Sequence, residues 1–212
     1  MIIADDTDDG LDVDVERVRL GGGVGFARAV NAALDVVRTP FAIIVNDDAL
    51  PEADCLDQLA RTGGVCGPVI VGAAGVESAG LTVRNWGRVV QRTAIPPEDV
   101  GVDALSGACL HMPAGERFDE RFRHGGEDVE LCRRLGGARL VVRARCWHEG
   151  GATLGRDTPE AQRHAVSGQL RLVSRGWRDG VVLALAVAQV VREGGGSARL
   201  RAVREGWRDA RG

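Results

Sequence analysis

The sequence contains neither lysine nor tyrosine, so its 27 basic side chains are all arginine, set against 30 acidic ones for a formal net charge of -3. That balance argues against a broad nucleic-acid surface. The arginine bias is what a GC-rich coding sequence produces, and no chemistry is read from it. Closely spaced cysteines are missing too. Cys55, Cys66, Cys109, Cys132 and Cys146 stand singly, without the short spacings of metal knuckles or dithiol redox motifs, which fits reduced thiols in a cytoplasmic protein. No basic segment leading into an apolar core opens the sequence, and no apolar run approaches the ~18 residues that span a bilayer. The expectation is a cytoplasmic chain, soluble or at most membrane-peripheral.

What is present fits one ordinary domain plus an appendage, since 212 residues can bury a real core but would cramp two full domains. An apolar opening runs into DDTDDG and reads as a strand entering an acidic turn. Residues 13–20 alternate as a second strand, GGGVG turns the chain, and residues 26–37 have helical spacing. A third strand, 41–45, ends in Asn46, Asp47 and Asp48. Residues 55–61 form a short helix, and GGVCGPVIVG supplies a strand of the fully buried kind. The stretch 72–104, with Trp86 and Val89-Val90, reads as a small hairpin or a loop over a site. Residues 106–112 are apolar, 139–144 form a last strand, and Cys146-Trp147-His148 follows. Acids at strand ends in this order predict an α/β fold with its site at the carboxyl edge of the sheet.

The organising stretch is RFDERFRHGGEDVELCRR, residues 117–134. Gly125 and Gly126 break the chain, Glu127 and Asp128 follow, and Val129, Cys132 and Leu135 then recur at helical spacing. Acids are favoured in a first helical turn for dipole reasons alone, and acids after strands are often only turn formers. Yet Asp5 and Asp6, Asp47 and Asp48, Glu127 and Asp128, and His148 all fall at ends that converge in one crevice. His111, His124 and His164 read as structural. Trp147 reads either as a sugar-stacking ring or as a cap on the core. GGGVGF lacks the third glycine of a dinucleotide-binding loop, which weakens a nicotinamide reading.

Beyond Gly155 the composition turns helical, with helices expected over 160–177, 180–191 and 197–208 and a locally basic balance. The segment GVVLALAVAQVV is too short to span a membrane and reads as packing on the core. Its flanking arginines leave peripheral membrane contact open, and a homo-oligomer is open as well.

NDDALPE, SGACLHM, RFDERFRHGGEDVELCRR and WHEGGAT, in this order and spacing, resemble the family-2 glycosyltransferases of the GT-A fold, the rhamnosyltransferase-like branch in particular. The resemblance covers residues 1 to about 155 and implies a single Rossmann-like domain with a mixed central sheet, the helices of 156–212 being an appendage. It implies that Asp5 contacts the nucleotide base, with Asp6 and Thr7 beside it, and that Asp48 closes an Asp-x-Asp-type motif holding magnesium or manganese on the donor diphosphate. Asn46, Asp47, Ser106 and Gly107 are the other donor-contacting residues it implies. Asp128, with Glu127 beside it, corresponds to the catalytic base, and His148 to a histidine that completes the metal's ligands. Gly25, Phe26 and Asn31 match the family's turn and first helix, whereas Gly23, Ala33 and Thr153 depart from it mildly. Family members carry a further strand and helix ahead of the segment matching MIIADD, so the resemblance implies an N-terminally shortened core.

The activity so implied is transfer of a sugar, with inversion, from a nucleoside-diphosphate donor to a hydroxyl acceptor: a glycan, a lipid-linked glycan or a natural product. Hard oxygen ligands and a divalent cation suit a diphosphate leaving group, and a positioned carboxylate suits deprotonation of the acceptor. Two rivals stand beside it. One is a non-catalytic GT-A-like module that binds a nucleotide or a partner chain through an open strand edge. The other, a sugar nucleotidyltransferase, lacks the Gly-rich, basic opening loop used on triphosphate.

Overall fold

The computed structural model describes residues 1–7, 14–84, 87–122, 125–149, 158–173, 177–192 and 196–211. Trp86, His124 and Thr153, singled out above, lie outside them. Side chains at 161, 162 and 177–181 are likewise outside the description.

A mixed sheet forms the middle layer. Its strand order is β3 (Phe41–Val45), β10 (Cys109–Pro113), β5 (Cys66–Gly72), β11 (Ala138–His148) and β4 (Ala49–Pro51). β10 runs antiparallel to β3 and β5, whereas β11 runs parallel to β5 and antiparallel to β4. β6 (Gly75–Ser78) forms a hairpin with β5, and β9 (Val100–Val102) pairs with the start of β11. β7 (Leu81–Val83) and β8 (Val89–Gln91) make a separate hairpin, so residues 72–104 hold two hairpins and an edge strand. The buried run Cys66–Gly72 explains the central position of β5: a strand covered on both faces needs apolar or small residues throughout.

Helices cover both faces. On one, α2 (Cys55–Thr62) packs Cys55 and Leu59 on Cys66, Ile70, Cys109, Val141 and Cys146. On the other, α1 (Phe26–Leu34) and α3 (Glu127–Arg134) place Ala27, Leu34, Val129, Leu131 and Cys132 on Val69, Leu110, Met112 and Leu140. All five cysteines are free and buried. They fill core positions on the two faces, and burial pushes the thiols of Cys66 and Cys132 up to about 11 and about 12.

Several expectations shift. β1 (Ile2–Asp5) and β2 (Glu16–Arg19) pair in parallel as their own two-stranded sheet rather than joining the central one. The inward face of α3 is Val129, Leu131 and Cys132, with Leu135 only partly buried, because Leu135 ends the helix at its C-cap. β11 continues to His148 instead of ending at 144; pairing with β5 slips between Val141 and Arg145, and β4 supports the extension. β4 itself is too short to have been visible as a periodicity.

The C-terminal segment forms α4 (Pro159–Leu172), α5 (Trp177–Arg192) and α6 (Ser197–Asp209), so the first of these ends before Trp177. Val166, Leu170, Val182, Ala186, Val190 and Val203 form their shared cluster. Gly206 lets α6 approach α4, since a Cβ there would meet the carbonyl of Arg163. α4 meets the core through Arg133, which donates to the Leu172 carbonyl at 3.2 Å, and through Gly168, which lies against the Gly125 carbonyl.

Candidate functional site

Asp48 stands in the turn between β3 and β4, and His148 ends β11. The β4–β11 pairing sets Ala49 opposite His148, and the Glu149 N–H donates to the Asp48 carbonyl at 3.0 Å. Backbone pairing therefore fixes the two side chains side by side, with His148 Nε2 3.2 Å from Asp48 Oδ1. The other ring nitrogen, Nδ1, lies 3.3 Å from Glu77 Oε2. Glu77 comes from β6, which the hairpin sets on the edge of β5 away from β11, so its side chain reaches His148 across Gly72. Gly72 makes room, since a Cβ there would sit 3.2 Å from Glu77 Cδ and 3.3 Å from the His148 carbonyl.

His148 thus has a carboxylate at each nitrogen, while a neutral imidazole owns a single N–H. A divalent cation with Glu77 accepting the Nδ1–H, or a second ring proton, would each satisfy the facing Nε2 and Asp48 oxygen. A carboxylate behind a ligating histidine is the usual way such a ring is oriented. Two ligand atoms 3.2 Å apart also suit neighbouring positions around one divalent ion with bonds of roughly 2.1 Å. Glu77 and Asp48 cannot share that ion, because they address opposite sides of the ring. Among the described residues no three His, Cys, Asp or Glu side chains gather in a way that could hold a metal. Asp48 and His148 are two side chains that could hold such an ion.

The carboxylate pair sits at the start of α3. Gly126 caps the helix in the left-handed region (φ 98°) after Gly125 (φ 84°), and a Cβ on Gly126 would meet the Phe122 ring at 3.2 Å. Asp128 accepts from the Gly107 N–H at 3.0 Å through Oδ2 and from the Val129 N–H at 2.7 Å through Oδ1. Burial pushes its carboxyl above the ordinary aspartate range, and these N–H bonds hold part of that shift back. It nonetheless keeps an opening to solvent. Glu127 is 8% exposed, and burial, with repulsion from Asp128, pushes its carboxyl up to about 8. Its Oε2 has no hydrogen-bond partner among the described residues, as suits a carboxyl that keeps its proton at neutral pH.

Short contacts link the sequence-predicted positions. The Asn46 N–H donates to the Ala108 carbonyl at 3.0 Å, joining the Asp48 turn to the 106–108 loop, where Ser106 Oγ accepts from the Ala108 N–H at 3.3 Å. Gly107 lies between Phe26 and Asp128, and a Cβ on it would meet Phe26 Cζ at 3.3 Å and Asp128 Cβ at 3.5 Å. Asp6 accepts from the N–H groups of Val24 (3.1 Å) and Gly25 (3.2 Å) and so holds the glycine turn that launches α1. Asp5, 2% exposed, accepts from Thr7 Oγ1 at 2.6 Å and lies 3.9 Å from Arg17. Both Asp5 and Asp6 are thus engaged within the chain. Asp47 is exposed at the turn. Trp147 is 43% exposed, opposite the 70% exposed Leu50 in the β4–β11 ladder, so it does not cap the core.

His111 is structural, buried with Nδ1 2.7 Å from the Gly64 carbonyl and its ring stacked on Phe41 at 5.1 Å. His164 lies 3.7 Å from Glu160 within α4. Sequence reasoning missed Glu77; it stands 71 positions from His148, and no local pattern signals it. An open cavity of about 540 Å³ lies elsewhere, lined by Arg61, Asp99 and Arg139 at the beginning of β11, whereas His148 is at its end.

A mixed sheet between helical layers, with acidic turns at one edge, is a GT-A-like architecture. No protein-family model matches the sequence, and no curated protein does. Among solved structures the chain is similar to GalNAc-T7 crystallised with UDP, GalNAc and Mn2+, at a TM-score of 0.58 and 13% sequence identity over 91% of this chain. It spans 43% of that chain's length. At such identity the likeness establishes the fold.

Proposed function

We propose that the chain is an inverting, metal-dependent glycosyltransferase that moves a sugar from a nucleoside diphosphate to a hydroxyl acceptor, in the manner of the family-2 enzymes. The observation that carries this reading is the Asp48–His148–Glu77 arrangement at the end of β11, on a fold shared with a protein crystallised with UDP and Mn2+. Asp48 and His148 are the protein ligands for manganese or magnesium. The ion, when bound, offsets the charge of the diphosphate leaving group.

Asp128 is the general base. Burial raises its proton affinity, which strengthens it as a base, and the N–H bonds from Gly107 and Val129 aim it. Glu127, protonated at neutral pH, leaves the negative charge of the pair on Asp128. Direct displacement by one acceptor hydroxyl, deprotonated by Asp128, inverts the anomeric centre. Partly exposed Trp147 offers a ring for stacking against a sugar. Gly107, Ser106 and Asn46 are the residues assigned to the donor. Asp5 and Asp6 shape the nucleotide loop through Thr7, Val24 and Gly25.

The test is turnover on a panel of UDP-, GDP- and dTDP-sugars with simple hydroxyl acceptors, following nucleoside diphosphate release and the product anomer. Asp128→Asn should lower turnover ~10²–10⁴-fold while donor binding stays within about twofold. Wild-type turnover in that variant, or a retained anomeric configuration, removes Asp128 from the role. A second reading, a non-catalytic GT-A-like binding module, is favoured by one observation: the carboxylate of Asp5 is buried and already engaged by Thr7 and Arg17.

A further inference from the structure

The C-terminal helices present two surfaces that globular packing leaves unexplained. α5 turns Val182, Ala186 and Val190 into the cluster shared with α4 and α6. Its outer side is apolar as well: Leu185, Val187 and Val191 are 51%, 37% and 63% exposed, with Ala184 and Ala188 among them. From 181 to 191 the sole polar residue is Gln189. A helix facing water carries charge on that side.

α6, which packs against α5 and α4, has the complementary character. Ala202, Val203 and Gly206 face inward, while Arg201, Arg204 and Arg208 are exposed at spacings of three and four, forming a single outer stripe. The acids of α6 lie near α4, where Arg163 is 2.6 Å from Asp209 and 3.9 Å from Glu205. Among the described residues none of the three outer arginines has an ion pair. The asymmetry extends to the whole chain: residues 156–212 carry eleven arginines against six acids, and residues 1–155 sixteen against twenty-four.

We propose that α5 and α6 form a docking surface for an anionic lipid bilayer. The outer side chains of α5 enter the interface beneath the headgroups, and Arg201, Arg204 and Arg208 bind lipid phosphates. Guanidinium suits this task because it binds phosphate bidentately, is weakly hydrated, and extends on a stem that can lie along apolar surface. Among the described residues no helix is long and apolar enough to cross a membrane, so the contact is peripheral. A bilayer with anionic headgroups satisfies the apolar face and the arginines at once.

The experiment is flotation of the full chain with phosphatidylcholine vesicles containing about a third phosphatidylglycerol, against vesicles of phosphatidylcholine alone. The expected result is recovery with the anionic vesicles only, reduced by added salt. Joint Leu185→Glu and Val191→Glu substitution, and separately joint Arg201→Ala, Arg204→Ala and Arg208→Ala substitution, should each lower the partition coefficient at least about tenfold with circular dichroism unchanged. All of these positions are exposed, so the fold does not depend on them. No flotation, equal recovery on neutral vesicles, or variants that float like wild type would overturn the proposal. So would a wild-type dimer in sedimentation that the Leu185→Glu, Val191→Glu variant converts to a monomer, since that assigns the face to a second copy.

Discussion

Glu127 and Asp128 are adjacent in sequence and chemically alike, yet their surroundings differ. Asp128 receives two backbone N–H groups and keeps an opening to solvent, whereas Glu127 is buried with one oxygen unpartnered. A carboxyl held at about 8 in the folded state and 4.5 when unfolded binds a proton in the native protein that the unfolded chain has already lost. The sign follows from linkage: between those two values the unfolded state binds fewer protons, so stability falls as pH rises. Denaturant midpoints should therefore decline from pH 5 to pH 8, and Glu127→Gln, neutral throughout, should flatten the decline. A slope unchanged in that variant would mean that other groups set it.

At the scale of elements, α1 and the loop ahead of α3 are held together by one buried amide. Asn31 Nδ2 donates to the Phe118 carbonyl at 2.9 Å and to Glu120 at 3.0 Å, and its Oδ1 accepts from the Phe118 N–H at 2.8 Å. Phe118 in turn packs edge-on against Phe26 at 5.4 Å, beside Gly107. Asn31→Ala strands both backbone groups of Phe118 in the interior and should cost ~2–4 kcal/mol in chemical denaturation. A loss under about 0.5 kcal/mol would show that the loop does not depend on this tie.

Local signals account for what was legible in the sequence. The apolar run before Asn46 gives β3 its bounds, Phe41–Val45, the buried run 66–72 announces a central strand, and Gly125-Gly126 marks the start of α3. The pairings were not legible, because register is a long-range property. β1 and β2 read as sheet strands but pair only with each other. β4 is three residues ending in proline and exists through its ladder with β11. For the same reason the turn bearing Asp48 and the strand bearing His148 could be named from motifs, whereas Glu77, delivered by a hairpin slipped at Ile70 and Val71, could not.

Across the whole molecule, the fold is shared with a structure more than twice as long. The acidic core and the basic helices divide the charge so that the Asp48–His148 edge and the α5–α6 surface have opposite electrostatic character. The central proposal is a metal-dependent diphosphate site at Asp48 and His148. It is tested most directly by calorimetric titration of the chain with UDP-, GDP- and dTDP-sugars, with and without manganese, on wild type and Asp48→Ala. The prediction is binding of one nucleotide class only when manganese is present, weakened at least ~10-fold by Asp48→Ala. Equal binding with and without manganese, or no binding by wild type across the panel, would contradict it.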